Sequence, residues 1–408
     1  MKNHPASSPS TENGSRLSAI AINITIAFVA TVVSYLIVEA VFFRMLFPGL
    51  MPSVRPQMHE TPGVLTQTTK ASYAPRNYVA ILGDSIAEGL GDTLLEAGNN
   101  VARAFHAAHV VHRLTGRDVV TFGRGGAGNA ESLVRQTAHI MAGSHCYFFP
   151  TLDEPSQIFA YFYEGNDIQD NLGFLARVAQ KYGRSDEATI DKFLIDEYAT
   201  FPHWRCHTYF FDIAGRMARL FYKYYYLKIR NTAEQQPGAN ILQIAGQAVN
   251  GPSGMEGPAL NIDDAGTANG VKVFERALRW LRLQFPNTPI TVVYVPSALS
   301  VYQLDGSVYI YSIEPREEGR TGRASPAQIS RRSDLICNLV RTTFVHHNVG
   351  FFDTRPGFRQ AASLRVLHGP LDWVHPNRDG YQVLGELLVS RMDDWRRVDS
   401  CNHPTAGN

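Results

Sequence analysis

Tyr78-Val-Ala-Ile-Leu82 runs directly into Gly83-Asp84-Ser85, so a short apolar segment meets a polar glycine turn. Five consecutive apolar or aromatic residues bounded by a turn are typical of a strand buried on both faces, as in parallel sheets. Similar runs predict further strands at residues 118–122, 158–163, 290–295 and 349–352. Helical patterns lie between or after them at 94–114, 271–285, 327–344 and 379–397. This alternation predicts an α/β fold with a parallel sheet covered by helices on both faces.

A long insertion, residues 167–287, separates the third predicted strand from the fourth and is predicted to form a helical cap on a single domain. Within it, residues 213–230 have a helical pattern with one apolar face. A basic stripe lies on another face and comprises Arg216, Arg219, Lys223 and Arg230. Two interpretations fit: a helix packed on the core with a solvated basic face, or a surface that binds anionic lipid or an acidic polysaccharide. The glycine- and proline-rich residues 236–266 are predicted to be a loop.

The N-terminal region predicts a membrane anchor. Residues 1–16 are polar and are predicted to be disordered, whereas the 22 residues 17–38 carry no charged side chain. As a helix, this segment would be about 33 Å long, enough to cross the hydrocarbon core of a bilayer. We therefore expect a single-pass anchor at 17–43 in the lipid bilayer, followed by a linker at 44–76. A cleaved signal peptide and a buried core helix are the alternatives; the long apolar run and its lack of a polar face argue against them.

The orientation of this anchor depends on weak signals. Lys2 and Arg16 precede the span and Arg44 and Arg55 follow it, so the basic residues barely discriminate between the two orientations. A single N-terminal anchor is a common means of export. We therefore expect the large domain, residues 77–398, to lie outside the cytoplasm, in the periplasm, with residues 399–408 as a C-terminal tail.

The composition is that of an ordinary globular protein, with 408 residues, 44% of them hydrophobic and 18% charged. A net charge of +1 gives no basis for a nucleic-acid partner. The cysteines are far apart and show no metal-ligand spacing, so no metal site is expected. Disulfides would suit an extracytoplasmic domain, with all three pairings open, and buried free thiols are the alternative. The four cysteines are Cys146, Cys206, Cys337 and Cys401.

Polar groups follow the predicted strands at their carboxyl ends, where parallel sheets bind ligands. By itself, the turn with Asp84 and Ser85 fits two helix-capping residues as well as it fits a reactive serine. Three further blocks strengthen the second interpretation, because together they supply the nucleophile, base and oxyanion donors that acyl transfer requires. These blocks are Phe122-Gly-Arg-Gly-Gly-Ala-Gly-Asn129, Glu164-Gly-Asn-Asp167 and Asp372-Trp-Val-His375.

In this order, the four blocks resemble those of the SGNH (GDSL-type) hydrolase family: GDS, a glycine turn, GxND and DxxH. The resemblance covers residues 77–395 except for the long insertion. It implies a three-layer α/β/α fold with a central, parallel, flavodoxin-like sheet of five strands. It also implies an esterase that needs no cofactor.

The resemblance carries roles onto individual residues. Ser85 would be the nucleophile, His375 the general base, and Asp372 the group that orients the imidazole. The oxyanion hole would consist of the N–H groups of Ser85 and Gly128 and the side-chain amide of Asn166.

Gly128 is preferred to Gly126 as the backbone donor of the oxyanion hole because Ala127-Gly128-Asn129 matches the turn of the family.

Other polar residues are assigned structural roles. Asp84 and Asp167 are expected to stabilise their turns, and the histidines at 106, 109 and 112 are expected to be structural rather than metal ligands.

Three functions remain open at the level of sequence. The first is hydrolysis of an O-acyl ester, in particular an O-acetyl ester on a carbohydrate. The second is O-acyl transfer to an extracytoplasmic polysaccharide through the same acyl-serine intermediate. The third is a non-catalytic scaffold that binds polysaccharide, against which the complete set of reactive groups argues. The triad does not encode which acceptor takes the acyl group, and hydrolysis is the reaction that we expect.

Overall fold

The computed structural model describes residues 11–41, 63–64, 67–71, 74–92, 106–145, 151–201, 215, 218, 240–310, 322–343 and 347–401. The strands in these ranges are β1 (Tyr78–Leu82), β2 (Asp118–Thr121), β3 (Gln157–Tyr163), β4 (Asn240–Ile244), β5 (Gln247–Gly251), β6 (Ile290–Val295), β7 (Gln303–Asp305), β8 (Val308–Ile310), β9 (Gly322–Ala324) and β10 (Gly350–Asp353). The α-helices are α1 (Thr11–Val41), α2 (Ser85–Glu88), α3 (Ala107–Thr115), α4 (Thr137–Ser144), α5 (Asp167–Tyr182), α6 (Glu187–Phe193), α7 (Asp264–Gln284), α8 (Ala298–Val301), α9 (Pro326–Thr343), α10 (Arg355–Ala362) and α11 (Arg378–Arg391). Two π-helical segments, Ala130–Gln136 and Leu194–Ala199, precede α4 and follow α6.

Five strands form a parallel sheet in the order β2-β1-β3-β6-β10. In β1, Ala80 is in register with Val120 of β2 on one side and with Ile158 of β3 on the other. Every residue of β1, β3 and β6 is buried, which explains why these strands are mostly apolar and aromatic instead of alternating with polar residues. The predicted flavodoxin-like sheet is therefore confirmed, with β1 and β3 flanking the point where the strand order reverses.

Helices cover both faces of this sheet, as predicted. On one face, α5, α7 and α9 pack on alternate strand residues, and the rings of Phe162 and Phe274 lie 5.0 Å apart. On the other face, α3, α10 and α11 pack on residues such as Ile81 and Phe159. The result is a three-layer α/β/α domain.

The insertion at 167–287 is not a cap along its whole length. Its first and last helices, α5 and α7, place Phe174 and Phe274 in the core, because their apolar faces need the sheet to be buried. The predicted loop at 236–266 is wrong for β4 and β5, which form an antiparallel hairpin extended by β7. Alternate burial along β4 and a two-residue turn with positive φ at Ala245 and Gly246 explain this hairpin.

The basic stripe of the insertion, formed by Arg216, Arg219, Lys223 and Arg230, lies outside the described residues. Of the predicted helix at 213–230, only residues 215 and 218 are described. The interpretation of this stripe therefore stays a prediction.

At the N-terminus, α1 begins at Thr11 and so includes residues 11–16 of the predicted disordered tail. Adding residues to an existing helix costs far less than nucleating one, which accounts for the earlier start. The part Ser18–Val41, 24 residues, is long and apolar enough to cross a membrane. Most of its side chains are exposed, Phe28 at 68%, whereas Glu39 is buried.

Part of the predicted linker at 44–76 belongs to the domain. The side chain of Gln67 pairs with the backbone of Thr121 through bonds of 2.7 and 2.8 Å. The N–H of Val119 donates to the carbonyl of Thr69 at 2.9 Å. These contacts satisfy the backbone of the edge strand β2, which would otherwise be open to pairing with another chain.

The domain also extends past residue 398. The N–H of Asp399 donates to the carbonyl of Phe351 in β10 at 3.0 Å. A disulfide joins Cys401 to Cys337 of α9, with their Cα atoms 5.8 Å apart. The tail boundary predicted at 399 is therefore too early by at least three residues. The other two cysteines, Cys146 and Cys206, lie outside the described residues.

Candidate active site

Ser85 lies at the carboxyl end of β1, as the first residue of the short helix α2. Gly83 lets this turn pack closely against β3, because a Cβ at this position would lie 2.9 Å from Cβ of Tyr161. The carboxylate of Asp84 caps the helix by accepting a bond of 3.0 Å from the N–H of Ile86. Ser85 is only 6% exposed, so neighbouring protein groups surround its hydroxyl at the carboxyl edge of the sheet.

His375 and Asp372 approach this serine from the loop before α11. Nε2 of His375 lies 2.8 Å from Oγ of Ser85, and its Nδ1 lies 2.7 Å from Oδ2 of Asp372. The other oxygen of Asp372 accepts the N–H groups of Val374 at 2.9 Å and His375 at 3.2 Å. One carboxylate therefore orients both the imidazole and the backbone that carries it.

The electrostatics of this relay assign its protons. Burial opposes the ionisation of Asp372, but the side-chain bond and the charge of His375, together with the N–H groups of His375 and Val374, outweigh it and lower the pKa of this carboxyl. An ionised carboxylate only accepts hydrogen bonds, so Nδ1 of His375 must carry the proton that lies between them. Nε2 is then left as an acceptor for the Ser85 hydroxyl. Burial lowers the pKa of His375, yet the bond to Asp372 and the charges of Asp372, Glu256 and Asp84 together leave it raised overall.

Asn166 is the residue that precedes α5, at the carboxyl end of β3. The carboxylate of Asp167 fixes this turn by accepting the N–H of Tyr163 at 2.7 Å and the side-chain amide of Asn129 at 2.8 Å. The Oδ1 atom of Asn166 is buried and has no hydrogen-bond partner in the part of the chain that the structure describes. The acceptor atom of this side chain is therefore unused among the described residues.

The glycine turn after β2 packs against the same end of α5. The N–H of Asn129 donates to the side chain of Asn171 at 3.2 Å, and the Asn171 amide donates back at 2.8 Å. A Cβ at Gly128 would lie 2.8 Å from Cβ of Asp170, so only glycine permits this approach. Gly126 differs from Gly128, because it has open space around it and its φ of 72° suits a glycine in a turn.

Three polar residues next to the site were not predicted from the sequence to belong to it. Glu88 accepts a short hydrogen bond from the N–H of Gly125 and so ties α2 to the glycine turn; burial raises its pKa to about 7. Its position three residues after Ser85, on the same helix, is a signal that could have been used. Glu256 and Tyr163 form a buried pair with a bond of 2.7 Å. Glu256 lies in the loop after β5, and no local sequence pattern predicts that it reaches the site.

Of the three histidines at 106, 109 and 112, the first caps the N-terminus of α3 and the other two lie within this helix, and each bonds to a neighbouring group. Nδ1 of His106 accepts the N–H of Ala108 at 3.1 Å, and Nδ1 of His112 lies 2.7 Å from the carbonyl of Arg117. Nε2 of His109 lies 2.9 Å from the hydroxyl of Thr68.

Taken together, the site offers a hydroxyl, a base that can receive its proton, and an ionised group that orients this base. The structure brings Ser85, His375 and Asp372 into direct contact. It places Gly128 and Asn166 on neighbouring turns at the same edge of the sheet. Such an arrangement can carry out nucleophilic substitution at an acyl carbon.

Comparisons with known proteins give distant similarities in structure and none in sequence. No family model matches the chain, and no curated protein matches it. A carbohydrate esterase structure has a TM-score of 0.31 at 11% identity, covering 78% of this chain and 65% of its own. An acetyl xylan esterase from Butyrivibrio proteoclasticus has a TM-score of 0.33 at 11% identity, covering 79% of this chain and 64% of its own.

A variant of an acetyl-xylooligosaccharide esterase from Geobacillus has a TM-score of 0.33 at 14% identity and covers 80% of this chain and 98% of its own. This chain thus spans just under two thirds of the first two of these proteins. Identities and TM-scores this low assign neither a family nor an activity to this chain.

Proposed function

We propose that this protein is a membrane-anchored serine esterase that hydrolyses O-acyl esters, in particular O-acetyl esters on a carbohydrate, through an acyl-serine intermediate. The observation that carries the proposal is the hydrogen-bonded relay of 2.8 Å from Ser85 to His375 and 2.7 Å from His375 to Asp372. A serine hydroxyl is a weak nucleophile by itself, and an adjacent oriented base is what activates it.

In the proposed first step, Oγ of Ser85 attacks the acyl carbon while Nε2 of His375 takes the hydroxyl proton. Asp372 stabilises the imidazolium that results. The carbonyl oxygen becomes an oxyanion, which accepts hydrogen bonds from the N–H groups of Ser85 and Gly128 and from the amide of Asn166. When this intermediate collapses, the bond to the alcohol breaks and His375 returns its proton to the leaving oxygen.

In the second step, water replaces the alcohol. His375 removes a proton from the water as it attacks the acyl-Ser85 ester, and the same donors stabilise the second oxyanion. Collapse then releases the free acid and restores the Ser85 hydroxyl. The groups on the enzyme end in the protonation states in which they began.

The membrane anchor and the external location are parts of the same proposal. The apolar, exposed helix Ser18–Val41 supports an anchor in the bilayer. The disulfide between Cys337 and Cys401 supports a domain outside the cytoplasm, because reducing compartments disfavour such bonds. Acylated polysaccharides at the cell surface would then be within reach of the site.

The product assay separates hydrolysis from transfer. Full-length protein in detergent would be given acetylated xylo-oligosaccharides and aryl acetates, with and without an added unacetylated oligosaccharide at millimolar concentration. A hydrolase releases one equivalent of acetic acid per ester consumed, whatever acceptor is present. A transferase must bind its acceptor well enough to compete with water at about 55 M, so acylated acceptor would be the main product. That outcome would contradict the proposal.

A further inference from the structure

The carboxylate of Glu256 lies near the proposed relay but has no role in the mechanism above. It is 4% exposed and accepts a hydrogen bond of 2.7 Å from the hydroxyl of Tyr163. Burial raises the pKa of Glu256 to about 7, although the bond from Tyr163 acts in the opposite direction. Burying a carboxyl group is costly, so its presence at this place calls for a physical account.

Tyr163 connects Glu256 to the loop that carries His375. Its hydroxyl also lies 3.4 Å from the carbonyl oxygen of Val374, the residue before His375. A phenol has one proton, and an ionised carboxylate attracts it more strongly than a carbonyl does. When Glu256 is protonated, its own O–H can donate to Tyr163, and the phenol proton can then bind Val374. The protonation state of Glu256 therefore determines what Tyr163 holds.

Gly165 leaves the space that this pair occupies. A Cβ at this position would lie 2.5 Å from the ring of Tyr163 and 2.6 Å from Oε2 of Glu256. Gly165 immediately precedes Asn166, so the pair also packs against the turn that carries the proposed oxyanion donor. The pair of Tyr163 and Glu256 therefore contacts both the loop of His375, through Val374, and the turn of Asn166, through Gly165.

The segment that carries Glu256 is fixed by its own contacts. The carbonyl of Glu256 accepts the N–H of Leu299 in α8 at 3.0 Å. Its neighbour Met255 is fully buried. The side chain of Asn240 in β4 donates to the carbonyl of Pro252 at 2.8 Å. The hairpin in the insertion therefore holds Glu256 in place.

The charges around this site act on both partners. For Glu256, the charge of His375 favours the ionised carboxylate, whereas those of Asp84 and Asp372 oppose it. For His375, burial lowers the pKa, and the charges of Asp372, Glu256 and Asp84 raise it. Two further titratable groups, Glu88 and His368, interact with His375 through their charges.

We propose that Glu256 is a positioning residue of this esterase: its ionised carboxylate, fixed beside the loop of His375 by the hydrogen bond from Tyr163, stabilises by its negative charge the imidazolium formed when Ser85 is deprotonated. The inference rests on the proposed function and goes beyond the triad. It assigns to the insertion a part in the reaction, since Glu256 is supplied from there.

The test compares three variants of the full-length protein. Glu256→Gln keeps the size and the acceptor oxygen of the side chain but removes its charge. We expect it to lower kcat about tenfold with little change in KM, because the interaction energy that shifts a pKa by one unit changes a rate about tenfold. The acid limb of its kcat/KM profile should move to lower pH. Tyr163→Phe should also lower kcat, most strongly near and just above pH 7, because loss of its bond raises the pKa of Glu256 and keeps this carboxyl neutral at a pH where it is ionised in the wild type.

Tyr78→Phe is the matched control, since it removes a buried hydroxyl that donates to the Asp153 carbonyl at the opposite end of β1. It should leave kcat and the pH profile unchanged. If Glu256→Gln does not fold, Tyr163→Phe alone decides. Wild-type kcat and pH profile in whichever of these variants fold would overturn the inference. Failure of the esterase proposal itself is distinguishable, because wild-type turnover would then survive Ser85→Ala.

Discussion

Oγ of Ser85 lies 2.8 Å from Nε2 of His375, although 290 residues separate the two in sequence. The parallel sheet makes this contact, since Ser85 follows β1 at the same edge to which the loop before α11 returns. The chain thus assembles a complete proton relay from its first and last parts.

The pH dependence of turnover follows from the raised pKa of His375. The base must be neutral to accept a proton, so kcat/KM should fall as the pH falls through a midpoint above the ordinary value of an imidazole, about 6.5. Asp372→Asn removes the anion that raises this pKa. The midpoint should move to lower pH and kcat should drop by about 10⁴. An unchanged midpoint in Asp372→Asn would contradict the assigned protons.

Asn166→Ala tests the proposed oxyanion hole. The amide acts only when charge develops on the acyl oxygen, so its removal should lower kcat by about 10² to 10³ and leave KM nearly constant. Asn338→Ala is a matched control, because its amide donates to the Asp334 carbonyl within α9. A rise in KM alone for Asn166→Ala would make Asn166 a substrate-binding group instead.

The strands and the reactive loops were predictable from the sequence because each has a local pattern. Ile290–Val295 consists of β-branched and aromatic residues, and the structure has the predicted bounds. The contact between His375 and Asp372 follows from their spacing of three residues.

Features that depend on distant partners were not predictable. The hairpin at β4 and β5 is flanked by glycine- and proline-rich sequence, and β4 also pairs with β7, a strand that comes after β6 in the chain. The helices α5 and α7 look amphipathic, but the sequence does not reveal which surface buries their apolar faces. The pairing of Cys337 with Cys401 and the approach of Glu256 to Tyr163 both depend on tertiary packing.

The topology can be tested on the membrane-bound protein. We expect the full-length chain to stay in membranes after a carbonate wash and a chain beginning at residue 63, which keeps the contacts of Gln67 and Thr69 with β2, to be released. A reporter that is active only in the periplasm, fused after Asn408, should be active. The Cys337–Cys401 bond should also protect both thiols from alkylation until a reductant is added. An inactive reporter on a well-expressed fusion would place the domain in the cytoplasm.

The nucleophile is the central claim, and covalent labelling tests it most directly. A fluorophosphonate probe should modify the full-length protein once, and peptide mass spectrometry should find the label on Ser85. Ser85→Ala should lose the label and about 10⁴ to 10⁶ of kcat, whereas Ser363→Ala, a change at an exposed serine, should keep both. A label on another residue, or turnover by Ser85→Ala within tenfold of the wild type, would contradict the account.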